Sequence, residues 1–120
     1  MFSIPPYTLG RLQPDTGAIN AWIGTKGTST ALHRDPYMNI LAQTAGYIYV
    51  RLYSADQTKF LYAEPALRDG NKNSCGRSLV AVEAPDFQLF PLFARAKYAE
   101  TVLGPGDMLF IPKGTWHHVR

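Results

Sequence analysis

Turn residues punctuate this chain so closely that the apolar runs between them are the length of β-strands. Gly104-Pro105-Gly106-Asp107 separates an alternating run at 98–103 from Met108-Leu109-Phe110-Ile111-Pro112, and Ala45-Gly46 separates 38–44 from 47–53. Glycine, proline and aspartate supply the turn geometry, while the β-branched and aromatic residues between them suit a pleated, half-buried surface. Two further strands are expected upstream, at 19–24 and 28–34, and two downstream, at 107–111 and 117–120. Residues 64–78 are polar and carry Pro65, Gly70 and Gly76, which reads as a surface loop. Across 86–96, Phe87, Leu89, Phe90, Leu92 and Phe93 have a weak helical spacing broken by Pro91, so a short or interrupted helix is expected. Short strands with turns between them and no internal repeat predict an all-β sandwich or barrel.

The chain has the material to close such a fold. Its 120 residues are 46% hydrophobic and 12% aromatic, enough for one domain with its own core and incompatible with a disordered tail. No apolar run reaches the length of a membrane span, and the opening Met1 to Tyr7 lacks the basic-then-apolar layout of a secretory signal. The single cysteine, Cys75, cannot form an intrachain disulfide, which favours an intracellular setting, nucleus or cytoplasm. A net charge of +3 and a pI near 9.1 come from scattered lysines and arginines. Nucleic-acid binding is therefore not indicated, because scattered basic residues read as solubility charge.

Chemistry enters at His33-Arg34-Asp35. On an extended chain residues i and i+2 share a side, so His33 and Asp35 can converge while Arg34 faces away. Far downstream, His117 and His118 occupy the last expected strand, where alternation allows one of them to face the same point. The residues by themselves leave that choice open. Two imidazoles and one carboxylate on one side of an ion leave its opposite positions open for ligands, the arrangement of non-haem iron oxygenases. The same donors also suit zinc or manganese, so they do not dictate iron.

With its surroundings included, the chain resembles the JmjC-type cupin oxygenases, and among them the JmjC-domain-containing protein 5 branch of cupin-like hydroxylases. The matching stretches are SIPPY near the start, INAWIGTKGTSTALHRDPYMNILAQTAGYIYVRLYS in the middle, APDFQLFPLFARAKYAETVL, and GPGDMLFIPKGTWHHVR at the end. The resemblance implies a double-stranded β-helix, the jelly-roll or cupin fold. It implies His33, Asp35 and His117 as metal-binding and catalytic residues, the tryptophan directly before the distal ligand selecting His117 over His118. It further implies Fe(II), with 2-oxoglutarate as cosubstrate, and a protein or peptide substrate, hydroxylation being favoured over N-methyl-lysine demethylation. Thr30 matches a hydroxyl that helps hold the 2-oxoglutarate carboxylate, Asn39 an asparagine lining the same pocket, and Trp22 an aromatic beside the substrate channel. Tyr7 matches a family tyrosine to which no role is assigned.

Two departures qualify that expectation. Ile48 stands where close relatives place the lysine that binds the distal carboxylate of 2-oxoglutarate, and isoleucine cannot neutralise a buried charge. Arg51, Tyr47 and Tyr49 have the opposite strand parity, so cosubstrate binding is expected to be weakened or rearranged. Relative to the family, residues 1–120 are expected to form a single domain short at both ends and lacking the final strand. The open edge would invite pairing, in a homodimer for example. The leading expectation is a 2-oxoglutarate-dependent dioxygenase; the alternative is a catalytically impaired metal-binding pseudoenzyme serving as a protein-binding module.

Overall fold

A computed structural model describes residues 19–64 and 76–120. Seven strands appear there: β1 His33–Arg34, β2 Asn39–Ala42, β3 Ile48–Tyr53, β4 Gly76–Arg77, β5 Ala99–Leu103, β6 Met108–Ile111 and β7 Trp116–Val119. They form a five-stranded antiparallel sheet in the order β4-β1-β7-β3-β5 and a two-stranded sheet, β2-β6. Chain neighbours in sequence are mostly not neighbours in the sheets, as in a jelly roll. The fold is the all-β jelly roll of a cupin.

The expected strands at 38–44, 47–53, 98–103 and 107–111 are present, shortened by a residue or more at their ends, and the one at 117–120 is present one residue earlier, at 116–119. Four expectations need correction, the first being the surface loop at 64–78, of which 65–75 lie outside the described residues and Gly76–Arg77 form β4. Residues 19–24 form no strand: Trp22 and Ile23 are 86% and 98% exposed, and this segment is unpaired among the described residues. The run at 28–34 contracts to β1, with Asp35 just beyond it. Ala45-Gly46 is a corner rather than a hairpin turn, because β2 and β3 on either side belong to different sheets. The broken helix at 86–96 is borne out. Asp86 Oδ1 accepts hydrogen bonds from the Gln88 and Leu89 amides, and a 3-10 helix, Pro91–Arg95, begins where a missing N–H costs nothing. Tyr7 and Cys75 lie outside the described residues.

Alternation gives the large sheet two distinct faces. On one, Trp116 and Tyr53 pack with Leu32, Leu61, Val80, Val82 and Phe93 in a hydrophobic cluster covered by Pro91–Arg95 and by a second 3-10 helix, Ala55–Phe60. The other carries His33, His117, Leu52, Val50, Ile48 and Leu103, as the cross-strand pairs His33↔His117, Leu52↔His117 and Ile48↔Leu103 require. Buried Val50 and Leu103 line this face, and on β6 buried Ile111 lies opposite Asn39 in the small sheet.

Candidate metal centre

β1 and β7 run side by side in register, which places His33 directly across from His117 and brings the ring centroids to 4.1 Å. Asp35 follows β1 immediately, and its backbone carbonyl accepts a hydrogen bond from Gly114 N–H at 3.2 Å. Gly114 has φ +79°, a left-handed conformation that favours glycine, so the turn before β7 is hooked onto the segment that bears Asp35. His33, Asp35 and His117 each offer one ligand atom, all within 4.8 Å of one another. Among the described residues this is the one cluster of histidine, cysteine and carboxylate groups that could hold a metal ion.

Backbone contacts decide which ring nitrogens face the centre. His33 Nδ1 lies 2.8 Å from the Ala31 carbonyl and His117 Nδ1 lies 3.1 Å from the Thr115 carbonyl. A carbonyl can only accept, so Nδ1 is the protonated nitrogen facing the backbone in both rings, and Nε2 is the nitrogen left to bind a metal when the ring is neutral. Burial pushes the His117 pKa below its usual 6.5, with the neighbouring His33 acting in the same direction against Asp35 and the Thr115 carbonyl. His117 Nε2 and Asp35 Oδ2 are 3.7 Å apart. Two imidazoles and a carboxylate converging on one point are a donor set that fits a divalent ion.

The lowered His117 pKa has a consequence for the metal-free protein. Above pH 6.5 the ring is neutral folded or unfolded; as pH falls below that value the unfolded chain binds a proton that the folded chain resists. Stability contributed by this group is therefore full above 6.5 and declines as pH drops toward the folded value. Urea midpoints measured between pH 7.5 and 5 should fall for the wild type and fall less for His117→Gln.

Asn39 donates from Nδ2 to Asp35 Oδ2 at 2.7 Å. It therefore lies beside the triad and orients the carboxylate that a metal would use. Asn39→Ala should weaken metal binding roughly 10–100-fold, the usual cost of losing a ligand's outer partner, with calorimetric titration as the check. The Thr30 hydroxyl accepts from Val119 N–H at 3.0 Å, tying the segment before β1 to β7. Trp22 sits in an exposed coil, and among the described residues no ring contact links it to the triad. Arg34 lies on the opposite face, its guanidinium 5.2 Å from the centre of the Trp116 ring. His118 is also on that face, only 3% exposed, with Nδ1 2.7 Å from the Thr30 carbonyl.

β3 pairs with β5 without a bulge from Ile48↔Leu103 to Leu52↔Ala99, so Ile48 faces the metal side and Arg51 does not. Arg51 stacks 4.2 Å over Tyr98 and donates from Nε to the Tyr49 hydroxyl at 2.7 Å. No replacement cation comes from β3.

The cupin-like domain family matches residues 3–120. Lysine-specific demethylase 8 of Danio rerio is 48% identical over 118 residues, which are 98% of this chain and 28% of the relative. Jumonji C domain-containing protein 5 of Drosophila melanogaster is 32% identical over 98% of this chain and 29% of its own length. The chain belongs to the cupin-like JmjC family. It spans less than a third of the length of these curated relatives. HSPB1-associated protein 1 of Rattus norvegicus is 35% identical over 82% of this chain and 20% of the relative. Within this JmjC chain no helix of the described residues is long and apolar enough to cross a membrane.

Proposed function

We propose that this chain carries the catalytic site of an Fe(II)- and 2-oxoglutarate-dependent dioxygenase that oxidises a C–H bond of a protein side chain inside the cell. The observation that carries the reading is the convergence of one ring nitrogen each from His33 and His117 and one Asp35 oxygen within 4.8 Å. Membership of a family whose relatives are named lysine-specific demethylases supports it. Hydroxylation and N-demethylation begin with the same oxidation; on an N-methyl group the hydroxylated product loses formaldehyde. We favour stable hydroxylation, from the resemblance to the hydroxylase branch.

In this reading His33, His117 and Asp35 hold the metal, which with 2-oxoglutarate and dioxygen supplies the oxidising power. The chain's own part is positional. The Ala31 and Thr115 carbonyls fix both imidazole tautomers, Asn39 holds the carboxylate, and buried Val50, Leu103 and Ile111 keep one side of the site dry.

Ile48 favours a second reading, a metal-binding module with impaired turnover that engages a protein partner. Anaerobic titration with Fe(II) and then 2-oxoglutarate separates the two. The dioxygenase should give the visible charge-transfer absorption of a chelated 2-oxo acid, and succinate once oxygen is admitted. Iron binding without either signal would reject the dioxygenase and favour the second reading. Ile48→Lys should then raise 2-oxoglutarate affinity by roughly tenfold or more, the contribution of a charge-assisted hydrogen bond.

A further inference from the structure

The metal-bearing face carries a cation that no local pattern marks, Arg77. β4 consists only of Gly76 and Arg77, and it pairs with the outer edge of β1 so that Arg77 lies directly across from His33. Cross-strand partners share a face, which sets Arg77, His33, His117 and Leu52 in a single row across the sheet. The neighbouring glycine confirms the assignment independently. A Cβ on Gly76 would fall 2.7 Å from Arg34 Nε, so position 76 faces the Arg34 side and Arg77 faces the metal side.

Arg77 is the one cation among the inward-facing residues of the seven described strands. Arg34 and Arg51 point to the other face, and the remaining inward positions of the large sheet are His33, His117, Val119, Ile48, Val50, Leu52, Ala99, Thr101 and Leu103. Those of the small sheet are Asn39, Leu41, Leu109 and Ile111. Arg77 is solvent-exposed and forms no ion pair with a described residue, unlike Arg51 with Glu100 and Arg120 with Glu83. Directly opposite residues have Cβ atoms about 4.5–5.5 Å apart, and diagonal positions stay within reach of long side chains. A guanidinium rooted beside His33 can therefore reach a ligand held at the triad. It offers two parallel donors to a carboxylate.

We infer that Arg77 is the carboxylate-binding residue of this metal site: it pairs with a carboxylate of the molecule bound next to the metal. The inference rests on the metal-site reading above and adds the charge that Ile48 cannot provide. The carboxylate can belong to the distal end of the cosubstrate or to an acidic side chain of a peptide substrate, and the two sources respond to different probes.

Iron-loaded wild type, Arg77→Gln and Arg77→Lys are titrated anaerobically with 2-oxoglutarate and with 2-oxobutyrate, which has the same chelating head and no distal carboxylate. Charge-transfer absorption is the readout, and iron affinity is measured for each protein. In a second arm, fluorescence anisotropy compares a glutamate-containing peptide with its glutamine counterpart. If the cosubstrate is the source, wild type prefers 2-oxoglutarate by about 10–100-fold, and Arg77→Gln removes that preference while leaving 2-oxobutyrate unchanged. If the substrate is the source, the preference for the glutamate peptide is lost instead. Arg77→Lys retains part of either preference. Unchanged discrimination in both arms, with iron affinity intact, overturns the role of Arg77 and spares the metal site. Absence of iron binding by the wild type overturns both.

Discussion

Asp35→Ala should abolish high-affinity metal binding, lowering affinity by more than about 100-fold, while leaving the β-sheet signal in circular dichroism unchanged. Asp35 is the only anion of the triad; His33 and His117 contribute neutral nitrogens, so the carboxylate supplies the attraction that two imidazoles lack. An outer-shell partner is worth about 10–100-fold, and a charged ligand must exceed that. The fold should survive because Asp35 lies beyond β1 and its backbone carbonyl, which accepts from Gly114, remains in alanine. Asn39 would lose its acceptor, but it is only half-buried and water can replace the bond. Glu100→Gln, on the opposite face, serves as the control. Isothermal titration with Fe(II) under nitrogen, or with Co(II) in air, reads the outcome. Affinity retained within threefold in Asp35→Ala would remove the triad as the metal site, and with it the proposed function.

The triad and most of the sheet were legible because both depend on short-range patterns. Alternation in Ile48 to Tyr53 and in Ala99 to Leu103, with glycine-rich turns nearby, marks strands without knowledge of their partners. The spacing of His33 and Asp35 put both on one side, while the choice of His117 over His118 needed the family pattern. The failures have a common cause, which is that pairing is decided at long range. Residues 19–24 have strand-like side chains, yet Trp22 and Ile23 stay exposed, and strand propensity has little force without a surface to pack on. Ala45-Gly46 has the chemistry of a hairpin turn, but nothing local says that β2 joins β6 while β3 joins β7 and β5. Arg77 escaped notice for the same reason. Two residues have no period, and the polar composition of 64–78 concealed a strand whose meaning comes only from its register with His33.

Trp116→Ala should destabilise the domain by about 3–5 kcal/mol, the cost of removing a large aromatic from a packed core. Against a total of about 5–15 kcal/mol for a domain, such a loss leaves much of the protein unfolded or close to it. Trp116 is fully buried, it joins Leu32, Tyr53 and Leu61 in the main cluster, and its Nε1 donates to Thr58 Oγ1 at 2.8 Å, pinning β7 to the 3-10 helix beneath. It also precedes His117, so the strand that holds the core on one face holds a metal ligand on the other. Metal binding and folding are consequently linked. A metal present at 100 times its Kd adds about 2.7 kcal/mol to the folded state, less than the expected deficit. Saturating metal should therefore raise the urea midpoint of Trp116→Ala without restoring the metal-free wild-type value. Trp116→Phe keeps much of the buried ring, loses the bond to Thr58, and should fall by only about 1–2 kcal/mol with metal affinity preserved. Equal midpoints for wild type and Trp116→Ala would show that β7 is anchored by something other than this ring, and the coupling between core and metal face would be lost with it.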